Sequence, residues 1–265
     1  GLMWQRRPYH RQVTWSQAFK RINKLNKKKF AGYSDWRMPN INELYTLVDI
    51  YNKKFIKILN KRGFLFKKRI RRFRDSRLPY TKIVDHAFFL SSTADLKYPD
   101  INVLCIASDF FGIFSISRKD NQERIDVFRF ATFYVIAVRT ACKGVIDVPQ
   151  TGRTTSYHAG DDGDLQKGAK IPKPRFIDNK NGTITDRLTG LMWQQSPDKK
   201  EYTWEQAFKR VEELNIKKLG GYSDWRLPNI YELRSLAALN GMVFKYLNNN
   251  GFIGIQRSLY WSSTS

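Results

Sequence analysis

The densest chemistry in this chain is cationic. Residues 53–82 hold thirteen Lys or Arg against one acid, Asp75, and Lys67, Lys68, Arg69, Arg71, Arg72 and Arg74 fall within eight positions. Charges nearly all of one sign repel one another and stay solvated unless a polyanion neutralises them. The whole chain has 47 Lys and Arg against 24 Asp and Glu, a formal net charge of +23, which favours nucleic acid, anionic lipid, or sulfated and uronic-acid polysaccharide as partners. An AT-biased genome, which enriches Lys, Ile and Asn together, explains part of the scattered lysine. Phe64, Phe66 and Phe73 interleave with the basic run and could stack on bases. Nucleic-acid binding through residues 53–82 is therefore an alternative, although no nucleic-acid-binding motif accompanies it.

Other constellations carry less. Asp35-Trp36-Arg37 and Asp224-Trp225-Arg226 place a carboxylate and a guanidinium either side of an indole. An exposed indole so flanked is a sugar platform; a buried one with a flanking ion pair holds the loop before a helix. We favour burial, because both triplets abut a helix start. Asp178 to Asp186 alternates oxygen ligands around Gly182, and Asp161, Asp162 and Asp164 cluster, so calcium is the cofactor weighed. Neither run has the bidentate Glu of a calcium loop, so we expect a hairpin turn at 178–186 and no resident cofactor. His10, His86 and His158 lack metal-ligand spacing. There is no Walker loop, dinucleotide fingerprint or nucleophile elbow. Ser91-Ser92-Thr93 and Ser262-Ser263-Thr264 have no neighbouring base and read as ladder or turn hydroxyls. Cys105 and Cys142 lack zinc or redox spacing; each lies in a strand-like run, and antiparallel pairing could join them in a disulfide. No enzymatic activity is expected.

The elements that position these residues occur twice. Residues 1–50 recur without a gap at 190–239, with 29 identities at an offset of 189. So long a period marks a domain rather than a solenoid repeat of ~20–50 residues. The Ser-Ser-Thr runs align at an offset of 171, so the first copy carries about 18 extra residues in the basic connection. The first copy lacks a counterpart of Arg175–Asp186, and the second stops at Ser265, where the first continues for about fifty residues. We expect two copies, both truncated.

Within each copy Gly-Leu-Met-Trp, ending at Trp4 or Trp193, reads as a short buried strand. Thr14 with Gln17, and Thr203 with Gln206, form capping boxes. Trp15, Ala18, Phe19, Ile22 and Leu25 follow one helical face, repeated at Trp204, Ala207, Phe208, Val211 and Leu214. Lys20, Arg21 and Lys24 lie opposite, as an ordinary solvated surface. A second helix starts at Asn40 with Glu43 at the capping position, and at Asn229 with Glu232. Residues 88–90, 102–107, 110–117 and 133–139 are strand-like, and 175–178 with 183–186 form a hairpin. Helices followed by a mainly antiparallel sheet make an α+β domain. The expected division is a first module at 1–144, a Gly/Asp-rich linker at 145–174 and a second module at 175–265. No apolar run approaches the ~20 residues that span a bilayer.

Asn181-Gly-Thr-Ile-Thr-Asp-Arg-Leu-Thr-Gly-Leu-Met-Trp193, then Trp204, Gly221-Tyr-Ser-Asp-Trp-Arg-Leu-Pro-Asn229, Glu232-Leu233 and Tyr260-Trp-Ser-Ser-Thr264 resemble the Lcl C-terminal domain family, named from the Legionella collagen-like adhesin. The resemblance spans nearly the whole chain, including Asp161-Asp-Gly-Asp-Leu-Gln-Lys-Gly168. It implies a bacterial secreted, periplasmic or cell-surface protein with a C-type-lectin-like fold. It also implies adhesin-like binding of a glycosaminoglycan-like anionic polysaccharide and a homo-oligomer, since the named adhesin's domain binds sulfated glycosaminoglycans and is trimeric. The family supplies no catalytic residues to map, and most members have no assigned activity. Lectin-like scaffolds also host oxidases that use a cysteine pair, so an enzyme is a further alternative. Phe89-Leu90 stands where the motif has Tyr-Trp.

Overall fold

A computed structural model of the chain describes residues 1–9, 13–47, 55–66, 87–94, 102–107, 113–117, 132–142, 148–198, 200–236 and 243–264. The chain divides into two units, residues 1–170 and 171–265. In chain order the first contains β1 (Leu2–Trp4), α1 (Trp15–Lys27), α2 (Ile41–Tyr45), α3 (Phe55–Lys61), β2 (Ala87–Ala94), β3 (Asn102–Ala107), β4 (Ile113–Ser117), β5 (Thr132–Tyr134), β6 (Val138–Thr140) and α4 (Asp162–Leu165). The second contains β7 (Phe176–Asp178), β8 (Thr183–Asp186), β9 (Met192–Gln194), α5 (Trp204–Ile216), α6 (Ile230–Ser235) and α7 (Val243–Asn248). The architecture is mixed α+β, as expected.

The helices begin where side chains satisfy the first free amides. At α1 the Thr14 hydroxyl accepts from Gln17 N at 3.2 Å and the Gln17 carbonyl accepts from Thr14 N at 3.1 Å. Thr203 and Gln206 repeat this at α5. Such a cap contributes about 1 kcal/mol. Trp15, Ala18, Phe19 and Ile22 are buried with Trp36, Met38, Leu90, Val135 and Ala137, while Leu25 is half-buried against them. Burying each large apolar side chain stabilises the unit by roughly 1.5–3 kcal/mol. The second unit has a smaller core of Phe176, Ile184, Leu236, Leu247 and Phe252.

The strands depart from expectation in three ways. β1 and β9 are half-buried rather than buried. The run expected as one strand over 133–139 splits: β5 pairs parallel with β2, and β6 pairs antiparallel with β1. The two halves serve different sheets, β4-β3-β2-β5 and β1-β6. That division also corrects the disulfide: Cys142 is a free, exposed thiol, and it follows a strand of the small sheet whereas Cys105 lies in β3 of the larger one. β7 and β8 form the hairpin read from the sequence, and β9 completes an antiparallel sheet.

The expected linker is not a free tether. Residues 148–170 belong to the first unit, closed into a loop by Gln150 N donating to Ala169 O at 2.9 Å. Asn40 and Asn42 donate to the carbonyls of Lys167 and Pro149, each at 3.0 Å. The His158 ring stacks on Phe19 with centroids 4.2 Å apart. A polar, Gly-rich run here packs rather than spans.

Candidate functional site

Each triplet sits where α1 or α5 meets the loop before the next helix. The Trp36 indole is 3% exposed and donates to Phe30 O at 2.9 Å; Asn26 clamps its backbone with two bonds of 2.8 Å. Trp225 repeats these bonds with Leu219 and Asn215 but is only half-buried. Trp36 is core, as favoured. The flanking charges do not pair with each other, contrary to expectation. Arg37 makes a bidentate pair with Glu43 at 2.6 Å on both arms, and Glu43 also accepts from Asn40 N at 2.9 Å. Asp35 pairs instead with Arg139, at 2.7 and 3.1 Å. Arg139 also lies over the Tyr33 ring at 3.7 Å. Its guanidinium holds the Asp35 carboxyl below the ordinary value, against an opposing effect of burial. Arg226 and Glu232 repeat the bidentate pair at 2.7 and 2.5 Å, which lowers the Glu232 carboxyl. Asp224 is exposed.

The hydroxyls serve the backbone, as read. Ser92 N donates to Pro39 O at 2.8 Å, and Thr93 Oγ1 accepts from Ile41 N at 3.0 Å. Ser263 and Thr264 do the same with Pro228 and Ile230. The Trp15 indole donates to Ser91 O at 2.9 Å and the Trp204 indole to Ser262 O at 2.8 Å. Trp4 lies in the β1–β6 ladder opposite Val138, and Trp193 packs on the second core. Where the first copy has Phe89 and Leu90, both 1% exposed, the second has Tyr260 and Trp261 at 41% and 51%.

The acids weighed for calcium are engaged in the fold. Asp161 caps α4 and accepts from Tyr157, His158 and Asp164 amides. Asp162, 4% exposed, accepts from Thr93 at 2.8 Å and Thr151 at 2.6 Å; burial pushes its carboxyl above the ordinary value of 3.8. Gly163 is required, since a Cβ there would stand 2.0 Å from Thr155 O. Asp164 accepts from Gly160 N at 2.7 Å. In the hairpin, Asp178 accepts from Lys180 N, and Asp186 is buried in a bidentate pair with Arg175 at 2.9 and 2.7 Å. That pair was missed by sequence reading; an Arg eleven residues before an Asp across a hairpin was its only signal. Among the described residues no group of three His, Cys, Asp or Glu could hold a metal, and no helix is long and apolar enough to cross a membrane.

Lys67, Lys68, Arg69, Arg71, Arg72 and Arg74 lie outside the described residues. One basic surface among the described residues lies on and just after α1. Lys20, Lys24 and Lys27 recur on its outer face, continued by Lys28 and Lys29, all exposed and without an ion pair among the described residues. Arg21 is different, covering the Tyr9 ring at 3.4 Å. Five exposed cations within residues 20–29 create a positive field that attracts a polyanion and is screened by salt.

No curated protein and no solved structure matches the chain. The Lcl C-terminal domain matches residues 1–129 and 182–265, two stretches that both include the capped helices and the Asp-Trp-Arg loop, and the chain belongs to that family.

Proposed function

We propose that this is a non-enzymatic, adhesin-like binding domain of a secreted or surface protein, and that it engages a glycosaminoglycan-like anionic polysaccharide. The observation carrying the reading is the exposed lysine face of α1, unneutralised among the described residues, on a chain of net charge +23. Family membership supports the surface setting. The mixed α+β architecture supports a C-type-lectin-like arrangement, and a homo-oligomer would multiply a weak face by avidity.

Heparin-affinity elution tests this. Replacing Lys20, Lys24, Lys27, Lys28 and Lys29 by Gln lowers the eluting salt, and replacing the six cations of 67–74 lowers it again. Counterion release makes binding fall steeply with salt, by close to one unit of log–log slope per neutralised contact on a dense polyanion. Unchanged elution for both variants contradicts the reading. Single-stranded DNA outcompeting sulfated glycan would favour the nucleic-acid alternative, and low-pKa reactive thiols at Cys105 and Cys142 the enzyme.

A further inference from the structure

The two units differ in charge along the helices that match most closely, α1 and α5. Residues 15–29 carry six cations and no acid, whereas the matching residues 204–218 carry four cations and three acids, Glu205, Glu212 and Glu213. Lys20, Lys24 and Lys27 stand at i, i+4 and i+7, one stripe of a helix, and all three are exposed. The matching stripe on α5 is Lys209, Glu213 and Ile216, likewise exposed, with Ile216 at 77%. One cation, one acid and one alkyl group stand in place of three cations.

The arginine beside each stripe repeats the contrast. Arg21 lies over the uncharged Tyr9 ring, 3.4 Å from its centre. Where the first copy has Tyr9 and Lys24, the second has Asp198 and Glu213, and both acids hold Arg210. Its Nη2 donates to Asp198 and its Nη1 to Glu213, each at 2.9 Å. A guanidinium bridged to two carboxylates is neutralised and meets a ligand's sulfate only by breaking those bonds. The basic connection tips the balance the same way. Residues 67–74, with six cations, fall in the first unit's span. The matching stretch of the second copy, from Leu236 to Tyr260, has only Lys245 and Arg257.

We propose that the polyanion site belongs to the first unit alone, one site per chain, and that Lys24 and Lys27 are the positions that separate the units. The inference rests on the polyanion reading above and narrows where it operates. Affinity for a polyanion grows with the number of cations engaged at once, and a carboxylate set among them removes a contact and repels the ligand. On α1 a linear anionic chain meets three ammonium groups along roughly 10 Å of helix, at a rise of about 1.5 Å per residue. On α5 the same path meets one, Lys209, with Glu213 beside it at i+4. The tandem copies share a scaffold and divide its chemistry.

The test exchanges these residues between the helices of the whole chain and titrates each variant with a short heparin oligosaccharide, reading stoichiometry and affinity. All four positions are exposed, and circular dichroism verifies that each variant keeps the fold. The unaltered chain should bind one oligosaccharide. Lys24→Glu with Lys27→Ile should weaken that binding at least about tenfold. Glu213→Lys with Ile216→Lys should add a second site. Two equal sites on the unaltered chain overturn the inference and leave the polyanion reading standing. So does a graft that adds no site, or an equal loss when Lys209, Lys217 and Lys218 become Gln. No binding by the unaltered chain defeats the polyanion reading itself, and this inference with it.

Discussion

The same ion pair occurs twice in this chain, in two environments. Arg37–Glu43 and Arg226–Glu232 share the six-residue spacing, the bidentate geometry and the link to an N-cap Asn. Yet the first pair's side chains are 8% and 2% exposed and the second's 59% and 19%. The loops are built alike because their bonds are local. Their burial differs because the first is covered by residues 135–138 and 148–170, more than ninety positions away in sequence. Local geometry is written in the repeat, and its energetic weight is supplied from outside it.

The largest test of that contrast is truncation of the indoles. Trp36→Ala should destabilise the first unit by about 3–5 kcal/mol, the cost of emptying a core site, whereas Trp225→Ala, in a half-buried site, should cost less than half as much. Denaturant unfolding read by unit-specific hydrogen exchange separates the two, and equal losses would break the comparison. Arg37→Ala strands a buried carboxylate and should cost about 3–5 kcal/mol. Arg226→Ala should cost about 0–1 kcal/mol, as for exposed pairs, by the same measurement.

Two acids sharpen the contrast through pH. Asp162 is raised by burial, so the native state holds its proton more tightly than the unfolded chain. Docking of residues 148–170 should therefore strengthen as pH falls toward 3.8 and weaken as pH rises through the raised value. Glu232 is lowered, chiefly by its bond to Arg226. Its contribution is present above the ordinary 4.5 and is lost as pH falls through the lowered value. As pH falls, protection of the Leu165 amide, corrected for its intrinsic exchange rate, should rise toward 3.8, and that of the Leu233 amide should fall below 4.5. The smallest effect should be no difference at all: Thr14→Ala and Thr203→Ala remove matching caps and should each cost about 1 kcal/mol.

Features whose bonds span a few residues were legible in the sequence. The capping boxes, the α1 stripe and the 175–186 hairpin each depend on partners within one turn or one ladder. The partners of Asp35 and Asp162 were not legible, since Arg139 and Thr93 lie 104 and 69 positions away. Gly/Asp-rich composition at 145–174 suggested a linker because it gives little apolar signal. What holds that segment is a set of hydrogen bonds and one stacked imidazole. The lysines of α1 looked like any solvated helix face, and only their exposure together, without ion pairs among the described residues, marks them as a surface.

The central claim is that covering strands, rather than the repeated loops, decide burial. Amide hydrogen exchange at Arg37 and Arg226 in the intact chain tests it most directly. Arg37 N donates to Val138 O at 2.9 Å in the covered unit, so its amide should exchange at least about a hundredfold more slowly than the Arg226 amide, in line with the spread of local opening free energies within one protein. Equal protection at the two positions would contradict the account.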